Sequence, residues 1–201
     1  MNFLAHLYLA DNTPESLVGN MLADFVDSEF RNHYPEEISR GIVLHRKVDV
    51  FADRHPVFRR SKGRIGEEYR HLKGIMVDIF YDHFLAKNWP DYSALPLEDF
   101  CDHAYSVFME YRALAPPRFQ RMLPLMIAGN WLLSYRHLEG IARVLTGMSG
   151  RLSRKNRLAE GISELRAHYR EFEADFREFF PELVSYVEDV KRETGSVMRK
   201  T

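Results

Sequence analysis

Leu72-Lys73-Gly74-Ile75-Met76-Val77-Asp78-Ile79-Phe80-Tyr81-Asp82-His83-Phe84-Leu85-Ala86-Lys87-Asn88 is the stretch that decides the fold. Its apolar residues fall on more than one side of a helix. A helix with no fully polar face belongs at the centre of a bundle. Asp78, Asp82 and His83 interrupt that apolar surface. Buried charge is costly unless it is paired, hydrogen-bonded or bound to a metal. A second interrupted run, Leu44-His45-Arg46-Lys47-Val48-Asp49, continues to Asp53.

Outward from this centre, helical signals dominate. Thr13-Pro14-Glu15 combines an N-cap, a proline at the first helical position and an early acid. Pro35-Glu36-Glu37 opens a helix whose apolar positions Ile38, Ile42, Val48, Phe51 and Ala52 recur at helical spacing. Shorter helices are expected over 56–68, 117–128, 130–136 and 137–148, with one more from Pro96 to about Ala115. A long amphipathic helix is expected over roughly 154–180, with Pro181 kinking or restarting it. The tail after about Glu193 should fray. No alternating run bounded by hairpin residues marks a strand. The expectation is an all-α, single-domain helical bundle over 1–201.

A chain of 201 residues can bury a substantial core. The net charge of −1 argues against a globally basic nucleic-acid binder. The single cysteine, Cys101, forms no intramolecular disulfide, which suits the cytoplasm. The Met1–Leu7 segment lacks the positive n-region of a secretory signal, and no uninterrupted apolar run reaches ~18 residues. No membrane partner is expected.

Helix positions i and i+4 share a face. His45, Asp49 and Asp53 therefore form one polar stripe, and Asp78 with Asp82 another, with His83 beside it. Asn20 and Asp24 repeat the spacing, and His6 sits in an apolar N-terminal segment. If these helices pack together, the stripes converge. Carboxylates with neutral imidazoles suit Mn²⁺, Mg²⁺, Fe or Zn²⁺, and the oxygen-rich set tilts toward the harder ions. The plain alternatives are that Asp82 pairs with an arginine and Asp53 is solvated. His33, His55, His71, His103 and His168 read as surface residues, and Cys101 as a buried thiol.

Two basic clusters remain. One holds Arg59, Arg60, Lys62 and Arg64; the other runs from Arg143 through Arg151, Arg154, Lys155 and Arg157 without an acid between 143 and 157. Each can steer an acidic partner or form a solvated face.

Several ordered motifs resemble the bacterial acyl carrier protein phosphodiesterases. They are Met1-Asn2-Phe3-Leu4-Ala5-His6-Leu7, Gly19-Asn20 with Leu22-Ala23-Asp24-Phe25, His45-Arg46 with Asp49, and Asp78 with Asp82-His83-Phe84-Leu85. Tyr135-Arg136 and Leu145 with Gly147-Met148 follow. The resemblance implies an HD-domain-like helical fold. It also implies hydrolysis of the phosphodiester that joins 4′-phosphopantetheine to acyl carrier protein. The chain carries Asp82-His83, the reverse of the His-Asp doublet that names the HD enzymes.

The implied cofactor is a divalent metal, manganese preferred, with magnesium or iron(II) as alternatives. On this reading Asp24, His45 and Asp78 are metal ligands. Asp49, Asp82, His83 and His6 are candidates for further ligation or proton transfer. Arg46 and Arg136 are candidates for holding the phosphate, because guanidinium matches its geometry. Arg59, Arg60, Lys62, Arg64, Arg143, Arg151, Arg154 and Lys155 would receive the acidic carrier protein. A nucleotide phosphohydrolase of the same chemistry and a non-catalytic helical binding protein are the competing functions.

Overall fold

The computed structural model describes residues 1–152 and 154–198. Its α-helices in chain order are α1 (Phe3–Leu9), α2 (Pro14–Leu22), α3 (Glu36–Arg54), α4 (Pro56–Arg64), α5 (Lys73–Lys87) and α6 (Leu97–Glu110). They continue as α7 (Pro117–Ala128), α8 (Trp131–Ser134), α9 (Leu138–Ser149), α10 (Ile162–Ala167) and α11 (Tyr169–Met198). No strand occurs among the described residues, so the fold is all-α as expected. Among the described residues no helix is long and apolar enough to cross a membrane.

α5 is the central helix. Met76, Val77 and the unbroken run Ile79–Ala86 are all buried. Each large apolar side chain removed from water contributes about 1.5–3 kcal/mol, so this helix has no face it can expose cheaply. Its buried polar residues must therefore be satisfied inside the protein. The Asp82 carboxylate accepts the backbone N–H groups of Leu4 at 2.7 Å and Ala5 at 3.1 Å. These are first-turn amides of α1, which lack partners within their own helix. Asp82 thus docks α1 onto α5.

α2 and α3 meet through a pair of glycines. A Cβ on Gly19 would lie 2.2 Å from the Ile38 carbonyl oxygen and 2.8 Å from the Gly41 Cα. No other residue allows this approach, which sets the end of α2 beside the middle of α3. The Thr13 hydroxyl accepts the Ser16 N–H, as its N-cap position predicts.

α11 closes the bundle with Phe172, Phe176, Phe179, Phe180, Leu183 and Val187 buried. Its Asp175, only 2% exposed, receives Arg60 Nε at 2.8 Å, Arg64 Nε at 2.9 Å and the Ser61 hydroxyl at 2.7 Å. Ser61 in turn contacts the Tyr81 hydroxyl at 2.9 Å. Arg60 also pairs with Glu178, Lys62 lies 3.5 Å from Asp53, and Arg59 Nε donates to the Asp53 carbonyl. Arg60, Lys62 and Arg64 of the first basic cluster, expected to receive a carrier protein, are thus engaged by acids of their own chain. Arg60 and Arg64 clamp α4 to α11.

Three expectations change. The last long helix begins at Tyr169 rather than near 154. The Asn156 side chain accepts from Ser149 and the Leu158 N–H, and donates to the Ser149 and Arg154 carbonyls, which organises 149–158 as a loop. α11 then runs through Pro181 to Met198, its aromatic residues up to Phe180 held against the core, so no restart at Pro181 is seen. His55 is buried rather than superficial. Its Nδ1 accepts the Val57 N–H at the start of α4, and its Nε2 meets Glu182 at 3.1 Å.

Two stability predictions follow from these anchors. Asp82→Ala strands two buried N–H groups and should cost about 2–4 kcal/mol in urea denaturation, since each buried unsatisfied group costs about 1–3 kcal/mol. Asp175→Ala should cost about 2–3 kcal/mol through its charged hydrogen bonds. Burial alone would raise the Asp175 pKa, but Arg64, Ser61 and Arg60 outweigh it and hold it below the ordinary 3.8. Its stabilisation is therefore full above about pH 4 and is lost as pH falls toward the folded-state pKa. The acid limb of a pH–stability profile should flatten in Asp175→Ala.

Candidate metal centre

The Gly19–Gly41 contact and the Asp82 anchor bring four elements to one point. α1 supplies His6, the single turn Ala23–Phe25 after α2 supplies Asp24, α3 supplies His45 and Asp49, and α5 supplies Asp78. His45 and Asp49 are one helical turn apart, so their side chains meet. His45 Nε2 lies 3.3 Å from both Asp24 Oδ1 and Asp49 Oδ2. His6 Nε2 lies 3.2 Å from Asp49 Oδ1 and 3.0 Å from the Met1 carbonyl. The two imidazoles stack with centroids 3.5 Å apart and planes 11° apart. The α-amino nitrogen of Met1 lies 3.0 Å from both Asp49 Oδ1 and Asp78 Oδ1.

Charge at this point is strongly coupled. Burial pushes the His45 pKa down, but hydrogen bonds to Asp24 and Asp49 overcome it and raise it to about 9. Burial, His45 and the Met1 ammonium together lower His6 to about 3. Burial likewise opposes the Met1 ammonium, yet Asp78 and Asp49 lift its pKa to about 11. Burial favours a protonated Asp49, but the Met1 ammonium, His45 and His6 hold it well below the usual carboxylate range. Asp78 is raised by burial. These carboxylates attract every positive charge within reach, as a cation site does.

The donor set fits a divalent metal on three observations. His45 Nδ1 lies 2.8 Å from the Asn20 carbonyl and can donate to it, which aims Nε2 at Asp24 and Asp49. A backbone carbonyl behind the imidazole is the usual support for a metal-binding histidine. One ligand atom each from His6, His45 and Asp49 falls within 4.8 Å of the others. His6 Nδ1 and Asn20 Oδ1 are buried without a hydrogen-bond partner, and Asp78 Oδ1 has the Met1 ammonium beside it. Buried polar atoms left in this state mark a place completed by water or an ion.

Asp24, Asp49 and Asp78 open into a cavity of about 460 Å³, with Asp53 on its rim. Arg118 and Arg151 stand on its wall. Neither has a carboxylate partner among the described residues. Arg118 lies over the Phe25 ring at 5.6 Å and Arg151 over Trp131 at 5.7 Å. Burial, then the nearby charge of Arg118, lowers the Arg151 pKa. Two neighbouring cations facing a cavity form a place for an anion.

The sequence expectations divide accordingly. Asp24, His45, Asp49, Asp78 and His6 converge. Asp82 and His83 do not line the cavity. Asp82 is occupied with α1, and burial raises its pKa to about 7 despite the two amide donors. His83 pairs with the Tyr135 carbonyl at 2.8 Å through Nδ1 and with the Tyr169 hydroxyl at 2.8 Å through Nε2. Both are structural, so neither member of the reversed doublet reaches the metal position. Arg46 donates to the Asp27 carbonyl at 2.8 Å and covers Phe30, while Arg136 is paired with Glu98 at 2.7 Å. Neither faces the acids. Arg151, expected to bind the carrier surface, lies inside the site, and Arg143 lines a neighbouring chamber. No ion pair engages Arg154 or Lys155 among the described residues. Arg118 was not anticipated; it sits in Pro117-Arg118-Phe119 with no spacing signal around it.

Comparison with known proteins gives a consistent assignment. A family model described as "Acyl carrier protein phosphodiesterase" matches residues 1–183. A protein of that name from Yersinia enterocolitica is 39% identical, covering 94% of this chain and 98% of its own length. Those from Serratia proteamaculans and Photorhabdus laumondii are 36% and 37% identical, each covering 94% of this chain and 98% and 96% of their own lengths. No solved structure matches the chain. The chain therefore belongs to the acyl carrier protein phosphodiesterase family.

Proposed function

We propose that this protein is a metal-dependent phosphodiesterase that removes 4′-phosphopantetheine from holo-acyl carrier protein in the cytoplasm. One observation carries the reading: a single cavity is lined by Asp24, Asp49 and Asp78, with His45 behind the first two, and by two guanidiniums without acid partners among the described residues. A phosphodiester needs both, because its oxygens must be gripped while charge builds on them. The relatives' name supports the substrate class.

Asp24, His45, Asp49 and Asp78 would hold the cation, with His6 stacked behind His45. Manganese would be the ion, a reading supported by the oxygen-rich donor set and the family resemblance. A divalent cation held there supplies Lewis acidity to a phosphoryl oxygen and makes water more acidic. Arg118 and Arg151 would bind the remaining phosphate oxygens. Water adds to phosphorus and the serine oxygen leaves with a proton, giving apo-carrier and 4′-phosphopantetheine. The unpaired Arg154 and Lys155 would meet the acidic surface of the carrier as it approaches.

Incubation of holo-acyl carrier protein with the enzyme and Mn²⁺, followed by mass spectrometry, tests the reading. The carrier should lose the phosphopantetheine mass, and a chelator should prevent it. Retention of the prosthetic group under these conditions would refute the assignment. Asp24 is 55% exposed at its side chain, so Asp24→Ala should keep the helical circular dichroism. It should lower both bound manganese and turnover, the latter by at least about 100-fold if a metal ligand is lost. Arg118→Ala removes a charge-assisted contact of about 1.5–3 kcal/mol, which predicts a fall in kcat/KM of about 10–100-fold with metal content unchanged.

A further inference from the structure

A second, smaller chamber of about 170 Å³ adjoins the acid-lined cavity and shares Asn2, Phe3, Met148 and Arg151 with it. Its walls are Trp131, Tyr135, Val144 and Met148. Val144, Gly147, Met148 and Arg151 follow at helical spacing, so α9 and the turn after it present one continuous face to both spaces. Arg151 stands at the junction. It lies over Trp131 and touches Met122, and its Nε donates to the Gly147 carbonyl at 3.1 Å.

Two glycines of α9 border this chamber for different reasons. A Cβ on Gly140 would lie 1.9 Å from the Ser134 carbonyl oxygen, so close packing explains that glycine. A Cβ on Gly147 would meet nothing within 4 Å. Glycine in a helix is less favourable than alanine by up to about 1 kcal/mol. Packing gives no reason for Gly147, an exposed residue that borders the chamber and leaves room beside it for a larger side chain.

We infer that this chamber is the specificity pocket for the arm of the substrate, taking the branched, gem-dimethyl pantoyl segment next to the phosphate. The inference rests on the phosphodiesterase reading above. A phosphodiester has two branches. The branch ending in a folded carrier protein cannot enter so small a space and must leave through the open cavity mouth. The other branch is thin and begins with a branched alkyl group, which suits aromatic and aliphatic walls. With its phosphate against Arg151, that group lies next to Met148 and Trp131. Asn2, Ser134 and Arg143 supply the few polar contacts for the hydroxyl and first amide of the arm.

Gly147→Phe tests this directly, because its side chain enters open space and should fill the chamber. Three measurements are made on the manganese-loaded protein. They are kcat and KM with holo-acyl carrier protein, bound manganese, and tryptophan emission during titration with 4′-phosphopantetheine. Trp131 lines the chamber, while Trp89 is 1% exposed and away from it. Wild-type protein should give a saturable emission change that Trp131→Phe removes. Gly147→Phe should abolish that change and raise KM at least tenfold, with manganese content and melting temperature preserved. Gly147→Ala should bind nearly as wild type. Should Gly147→Phe fail to fold, Val144→Phe fills the same space and carries the same expectation.

A folded Gly147→Phe with wild-type KM, or no emission change in wild type at saturating 4′-phosphopantetheine, overturns the pocket while leaving carrier cleavage standing. Failure of the wild type to cleave holo-carrier at all removes the premise, and the pocket with it.

Discussion

The structure depends on one buried carboxylate. Asp82 sits in the middle of the most enclosed helix, with no solvent exposure, and accepts two amides from the first turn of α1. The burial cost of that charge is offset by satisfying two donors that would otherwise be stranded. The same contact fixes where Met1 and His6 lie. Without it, His6 has no reason to stack on His45, and the acids of α3 and α5 have no cover on that side. The Gly19–Gly41 approach does the complementary work for α2, setting Asn20 and Asp24 against His45. Two local constraints thus convert four separate elements into one charged centre.

Charge is handled in two distinct ways. Around Asp175, Arg60 and Arg64 neutralise the acid and Ser61 completes it, leaving every partner engaged. Around Asp49 the accounting does not close. Three carboxylates share one ammonium and two imidazoles, and two buried polar atoms nearby lack partners. A closed network holds helices together, whereas an open one has capacity for an incoming charge. This contrast, more than the residue types themselves, separates the clamp from the site.

Much of this was legible in the sequence. The apolar surround of 72–88 marks the central helix, and the His45–Asp49 spacing marks two groups that do meet. Asp24 and Asp78 were recoverable from the repeated spacing and the family motif. What spacing could not supply was direction. A helix buried on all sides has no polar face to set its phase, so Asp78, which faces the cavity, and Asp82, which faces α1, look alike in sequence. Arg46 and Arg136 follow motif residues, yet their long side chains are taken by the Asp27 carbonyl and by Glu98. Arg118 is brought in from α7 by tertiary packing alone. In the basic run at 59–64, the pairing of Arg60 and Arg64 could not be read from spacing because their acids lie more than a hundred residues later, in α11.

The Asp82 anchor also bears on the order of folding. Its bonds to Leu4 span 78 residues, the Met1–Asp49 contact spans 48, and His45 to Asn20 spans 25. Closing a longer loop costs more chain entropy and contributes to slower folding. The α2–α3 hairpin, with Asn20 under His45, can therefore form early and locally. The α1 segment is synthesised before α5 yet has no docking partner until α5 exists. The α1 side of the candidate metal centre is thus made before α5 and docks only after it.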